Sequence, residues 1–162
     1  MRPVWGNTPF MVFEKNKRAP LSSKFRAYVS IGKQSYRISM RAGSGTGINS
    51  ECVRNKGYLP DGVYDPTDKD SGSTLRFIAN KRTGSSVVRG PVWQLGSKKC
   101  KPKAKERRIT RTELYIHSQG ASGWSGNYAS NGCIKINQGD RAHLAKRWKA
   151  ARNRDKGGLV VY

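Results

Sequence analysis

The sequence predicts a mostly β domain with one main α-helix near its C-terminus. Tyr36, Ile38 and Met40 alternate with polar residues, and this period of two is typical of a half-buried strand. Further segments of strand character recur along the chain, separated by stretches rich in glycine and serine. Helical spacing of apolar residues stands out in one segment, after residue 140. These patterns favour a sheet-based fold.

The predicted strands begin with a hairpin formed by residues 25–31 and 35–41, which are joined through Gly32. The glycine- and serine-rich segment 42–50 is predicted to be a loop, and the Lys/Arg-rich segment 97–111 a surface loop. The other predicted strands lie near 62–64 and at 74–79, 86–95, 113–117, 132–136 and 159–162.

The predicted helix begins at Asp140, which we expect to be the N-cap residue. Leu144, Trp148 and Ala151 recur at helical spacing on one face, which predicts that this face packs on the sheet. Residues 153–158 are expected to end the helix before the terminal strand.

The length and charge of the chain limit the classes of protein it can belong to. Its 162 residues fit one domain over 1–162. The 32 Lys and Arg outnumber the 10 Asp and Glu, and the net charge of +22 predicts attraction to nucleic acid, anionic lipid or an anionic cell wall. The longest apolar runs have four residues, whereas a membrane span needs roughly 18 to 20. No cleavable signal peptide is apparent, which leaves retention, signal-independent export and prior processing open.

The three cysteines, Cys52, Cys100 and Cys133, are an odd number. In an exported protein one pair and one free thiol are expected, whereas in the cytosol all three would be reduced. If a disulfide forms, we predict that it joins Cys52 to Cys100, because Cys133 lies in a motif that needs a free thiolate.

The chemistry is predicted to lie between His117, at the end of one predicted strand, and Cys133, at the start of the next. A neighbouring imidazole lowers the pKa of a thiol and acts as its general base, as nucleophilic acyl transfer requires. Gly132 leaves space beside the nucleophile, and the N–H groups of Gly132 and Cys133 could bind a developing oxyanion. No Asp or Glu lies between 114 and 139, so a backbone carbonyl or the Ser118 hydroxyl is expected to orient the imidazole. No metal site is predicted, because no pair of candidate ligands has the usual short spacing.

These residues form a motif similar to that of the YkuD-type L,D-transpeptidase catalytic domain. In that family a His is followed by a loop and then by Ser/Thr-His-Gly-Cys, a hydrophobic residue and Arg or Asn. The matching residues here are His117, Gly120, Ser130, Gly132, Cys133, Ile134 and Lys135. Residues 57–64 (GYLPDGVY) also resemble the family's Thr-Pro-x-Gly-x-Tyr segment. The resemblance covers 57–162, and residues 1–50 match only as generic strands.

The resemblance implies a sandwich- or barrel-like β fold and a peptidoglycan stem peptide as substrate. Cys133 would attack the stem, release the terminal D-Ala and form a thioester. An amine would resolve the thioester to a 3→3 cross-link, water to a carboxypeptidase product, and a D-amino acid to an exchanged stem. No cofactor is implied, and the site of action would be the cell wall or periplasm.

Two positions depart from the family motif, since Asn131 replaces its second His and Lys135 its Arg or Asn. Asn131 could still donate a hydrogen bond to substrate or oxyanion. Gly120, Ser130 and Lys135 are predicted to contact substrate. Trp124 and Tyr128 are either a wall or lid over the substrate or plain packing under the loop.

Three alternatives remain open at this stage. Short antibacterial effectors delivered by contractile secretion systems look similar and attack the peptidoglycan of other cells. A basic protein that binds cell-wall polymers without catalysis would also carry the charge. Nucleic-acid binding is less favoured, because no helix-turn-helix, RNP, KH or zinc-finger pattern occurs. We expect a monomer.

Overall fold

The structure is a computed structural model that describes residues 8–67, 72–84, 87–118 and 124–162. Its strands are β1 (Phe10–Glu14), β2 (Ser23–Ile31), β3 (Gln34–Ser44), β4 (Gly62–Tyr64), β5 (Ser73–Lys81), β6 (Gly90–Lys99), β7 (Thr110–His117), β8 (Ile134–Ile136) and β9 (Gly158–Val161). A single α-helix, α1 (Gln138–Ala150), and 3-10 turns at Pro20–Ser22 and Arg154–Lys156 complete the regular structure of this part of the chain.

All nine described strands belong to one sheet, in the order β4-β9-β1-β2-β3-β8-β7-β6-β5. The two edge strands, β4 and β5, touch, so the sheet is nearly closed and barrel-like. The mostly β class with one main helix is thereby confirmed. Most neighbouring strands are antiparallel, but β1 pairs with β9, and β7 with β8, in parallel.

The core lies on the inner face of this sheet and is covered by α1. Trp93 of β6 meets Trp148 of α1 edge to face, with ring centroids 6.0 Å apart. Leu144 is also fully buried, and α1 contacts β2 and β6. The helical face predicted from Leu144 and Trp148 is therefore the packed face. The described part of the chain contains no helix with the length and apolar character needed to cross a membrane.

The predicted hairpin is present as β2 and β3, paired through to Ile31 and Gln34. However, β3 continues to Ser44, inside the segment predicted to be a loop, because Ala42–Ser44 pair with β8. Gly43 also lets Tyr128 approach β3 closely, since a β-carbon at position 43 would lie 2.6 Å from that of Tyr128. The strand predicted at 86–95 begins only at Gly90.

The predicted surface loop at 97–111 is shorter than expected, because β6 continues to Lys99 and β7 begins at Thr110. The predicted N-cap is also wrong. Asn137 caps α1, and its side chain accepts hydrogen bonds from the N–H groups of Gly139 and Asp140. The helix ends at Ala150, and β9 is the predicted terminal strand.

Candidate active site

The parallel pairing of β7 with β8 brings His117 and Cys133 to the same place. Ile116 pairs with Ile134 and His117 with Lys135, so Cys133 stands one position before β8, beside Tyr115. Side chains alternate between the two faces of a strand, which puts His117 and Cys133 on the same face as diagonal neighbours. Both line one cavity of about 390 Å³.

The cavity has a mixed wall. Its apolar side includes Val87 and Val88, and its charged groups are Lys81, Glu113 and Lys135. The rest of the described lining is Asn55, Gly84, Thr112, Tyr115, His117, Ser118, Ala129, Ser130, Asn131 and Cys133. No three His, Cys, Asp or Glu side chains in the described ranges are grouped so that they could hold a metal ion.

Cys133 is the free cysteine, and Cys52 and Cys100 form the predicted disulfide. The Cys133 thiol donates to the Glu113 carbonyl at 3.6 Å. Burial raises the pKa of this thiol to about 11, against the opposing effects of a backbone hydrogen bond from Tyr115 and the positive charge of Arg111. The expected lowering of the thiol pKa is therefore not found, and Cys133 is a neutral thiol at neutral pH.

The Glu113 carbonyl points at the thiol because β7 carries a bulge there. Lys98 pairs with Arg111 and Gly96 with Leu114, so two residues of β7 face one residue of β6. Glu113 takes a left-handed conformation with φ 55°, which is unusual for a residue other than glycine. Bulges of this kind often re-aim groups beside active sites.

His117 is buried and uncharged. Burial lowers its pKa to about 4, and the charges of Lys135 and Arg141 act in the same direction, while backbone groups of Ser118 and Val87 oppose them. The imidazole is therefore available as a base at neutral pH. His117 Nδ1 and Ser118 Oγ are each buried without a hydrogen-bond partner in the described part of the chain. Of the two predicted orienting groups, the Ser118 hydroxyl therefore does not bond the imidazole, whereas backbone groups, those of Ser118 and Val87, do act on it.

The turn before the nucleophile is held by Ser130. Its hydroxyl donates to the Cys133 carbonyl at 2.7 Å and accepts from the N–H of Gly132 at 3.3 Å and that of Gly45 at 3.2 Å. These bonds give the Ser130 hydroxyl a positioning role, and Ser130 also lines the cavity, where it was predicted to contact substrate. The Gly132 N–H, a predicted oxyanion donor, is bonded to Ser130 in this state.

The other predicted site residues differ in how close they lie to the cavity. Lys135 and Asn131 both line it, and the Lys135 ammonium donates to the Ala129 carbonyl at 3.1 Å. Trp124 and Tyr128 do not line it, but pack on each other with ring centroids 4.9 Å apart. This favours packing under the loop over a substrate wall. Gly120 lies outside the described residues.

Arg111 was not among the predicted site residues, because it ends the segment 97–111 that was predicted to be a surface loop. Its side chain is buried, and its guanidinium donates to four backbone carbonyls. The acceptors are Glu51 at 2.8 Å, Tyr58 at 3.3 Å, Gly57 at 3.1 Å and Asn131 at 2.8 Å. Arg111 therefore joins the 51–58 segment to the turn that carries Cys133.

Neither a scan against models of protein families nor a search of curated proteins gives a relative of this chain.

Proposed function

We propose that this protein is a cysteine-dependent acyltransferase of the L,D-transpeptidase kind that acts on peptidoglycan stem peptides. The observation that carries the proposal is that His117, at the end of β7, and Cys133, directly before the parallel partner strand β8, both line one cavity of about 390 Å³. The motif around them supports the substrate class. The order of the two residues along the chain, His before Cys, is opposite to that of papain-like and NlpC-type hydrolases.

The reaction begins from a neutral pair. As the Cys133 sulfur attacks the carbonyl before the terminal D-Ala, His117 takes the thiol proton, and a C–S bond forms. Collapse of the tetrahedral intermediate breaks the C–N bond, and His117 returns the proton to the leaving amine. An acceptor amine then attacks the thioester, so that a new C–N bond forms and the thiol is regenerated. Water or a D-amino acid can replace that amine.

The surroundings of the cavity fit a substrate that carries carboxylates. Lys81 and Lys135 are among its lining residues, and the chain as a whole has a net charge of +22. Anionic wall polymers would be attracted by the same charge. The Cys52–Cys100 disulfide is consistent with action outside the cytosol, in the wall or periplasm.

The proposal is tested by incubating the protein with muropeptides that carry tetrapeptide stems, followed by mass spectrometry of the products and of the intact protein. We expect loss of D-Ala, a 3→3 dimer or an exchanged stem, and an acyl adduct on the protein. Cys133→Ala should abolish products and adduct, and His117→Gln should slow turnover by about 10²- to 10⁴-fold.

His143→Gln is the matched control, because His143 is the other histidine and lies exposed on α1. It should retain activity. The product identifies the acceptor, and a carboxypeptidase product alone would favour the effector alternative. A folded wild-type protein that yields neither product nor adduct would refute the proposal and leave a wall-binding protein without catalysis.

A further inference from the structure

Arg111 is a buried cation that has no carboxylate partner among the described residues. Its side chain is 4% exposed, and the ion pairs in the described part of the chain involve Lys15 and Arg26 instead. Its four hydrogen bonds all end on neutral carbonyls. A buried charge is unfavourable unless it is compensated, and carbonyl dipoles compensate it only in part.

The guanidinium lies directly behind the nucleophile turn. A β-carbon on Gly132 would overlap its Nη2 atom and would lie 3.1 Å from Cζ. The same nitrogen donates to the Asn131 carbonyl at 2.8 Å. Arg111 and the Cys133 sulfur also interact electrostatically, in the sense that favours a thiolate.

We propose that Arg111 is a positioning residue of the acyl-transfer site, which fixes the Asn131–Cys133 turn and supplies the positive charge that compensates negative charge formed at Cys133. The Glu51 carboxylate acts favourably on the Arg111 charge, but less strongly than a Cys133 thiolate would. In the resting state the thiol is neutral, so Arg111 gains this stronger anionic counterpart when a thiolate forms. An interaction that strengthens during the reaction is the kind that accelerates it. The role in turnover rests on the proposed function, whereas the effect on the thiol does not.

The 51–58 segment, to which Arg111 donates its hydrogen bonds, is itself held in place by other cross-links. Cys52 is tied to Cys100 by the disulfide. Glu51, whose backbone carbonyl is one of the acceptors of Arg111, is held by its side chain to the buried Lys15 ammonium at 3.3 Å. Lys15 also pairs with Asp61 at 2.8 Å. Arg111 thus connects the nucleophile turn to a part of the fold that is cross-linked in two ways.

The test is the rate of Cys133 alkylation by iodoacetamide as a function of pH, which needs no peptidoglycan. Arg111→Gln removes the charge, so the thiol should titrate at higher pH and react about tenfold more slowly at neutral pH. Arg111→Lys keeps the charge and should stay close to the wild-type profile. Arg108→Gln removes an exposed charge from the neighbouring loop and should leave the profile unchanged.

Turnover of muropeptides by Arg111→Lys separates positioning from charge. We expect a lower kcat with KM little changed, because lysine cannot bridge the carbonyls that hold the turn. An Arg111→Gln profile that matches the wild type in a folded protein would overturn the proposal. If the wild type does not turn over muropeptides, the proposed function fails, but the alkylation rates still test the effect of Arg111 on the Cys133 thiol.

A measurement on the unmodified protein covers the case in which neither variant folds. The ¹³Cζ resonance of Arg111 should titrate together with Cys133 in the alkaline range, and this titration should vanish in Cys133→Ala. If the chemical shift of this resonance does not change when Cys133 ionises, the proposal is overturned.

Discussion

Gly132 and Arg111 are in direct contact, and this contact explains why the residue before Cys133 has no side chain. The guanidinium occupies the volume that a β-carbon at position 132 would need, and Gly132 has a φ of 127°, a conformation that L-residues rarely adopt. The glycine of the motif therefore has a packing role as well as the chemical one predicted for it. It lets a buried cation approach the turn from behind.

Gly132→Ala should lower the free energy of unfolding by about 2 kcal/mol and slow Cys133 alkylation, because it adds overlap with Arg111 to backbone strain. Urea unfolding and iodoacetamide kinetics measure the two effects.

Gly47→Ala is the control, since Gly47 has a φ of 106° but nothing within 4 Å of the added β-carbon. It should show the strain alone. If the two variants lose the same free energy of unfolding, the contact with Arg111 adds nothing to the destabilisation by Gly132→Ala.

The stability of the protein should fall in acid because His117 is buried in its neutral form. Its pKa is 6.5 when unperturbed and about 4 in the fold, so between these values the unfolded chain binds a proton that the folded protein does not. The free energy of unfolding should therefore decrease by about 3 kcal/mol as the pH falls through this window.

Urea unfolding of wild type and His117→Gln at several pH values isolates this contribution, because carboxylates titrate alike in both proteins. The difference between the two proteins should change through the window and be constant above it. A constant difference throughout would show that His117 is not buried as described.

The sequence predicted the central pair because the signal is local. His117 ends β7 and Cys133 directly precedes β8, and pairing of β7 with β8 needs no information beyond the two strands. The disulfide followed from the same assignment of Cys133 as the free thiol.

Arg111 could not be predicted, because the bulge at Glu113 breaks the alternation of β7. Regular alternation from the buried Ile116 and Leu114 predicts that Thr112 is buried and Arg111 exposed. In the structure Arg111 is buried and Thr112 is exposed. A left-handed glutamate within a strand has no local sequence signal. The N-cap was missed for a simpler reason, since Asn137 and Asp140 are both residue types that cap helices.

Lys135→Met should raise the pKa of His117, because the Lys135 charge is one of the causes that lower it. Methionine has a similar length, which keeps the buried position filled. Titration of the imidazole signals by NMR measures the change, and the exposed His143 is an internal reference in the same spectra.

The acid limb of any His117-dependent activity should move to higher pH in the same variant. Lys146→Met, on the exposed side of α1, removes a charge far from the cavity lining and should leave the His117 titration as it is. If Lys135→Met shifts the His117 titration no more than Lys146→Met does, the electrostatic link between Lys135 and His117 is absent.

Removal of the Cys52–Cys100 disulfide should destabilise the fold and loosen the nucleophile turn together. The cross-link has a sequence separation of 48 residues, and closing a loop of that length in the unfolded chain stabilises a protein by about 4 kcal/mol in the chain-entropy model. The double variant Cys52→Ser/Cys100→Ser should lose stability on this scale.

The double variant should also change the pH profile of Cys133 alkylation, because the carbonyls of Glu51, Gly57 and Tyr58 hold Arg111 in place. Reductant should lower the urea midpoint of the wild type but not that of the double variant, and Cys133→Ala should keep the response to reductant. A wild-type midpoint that reductant leaves unchanged would show that this disulfide does not stabilise the fold.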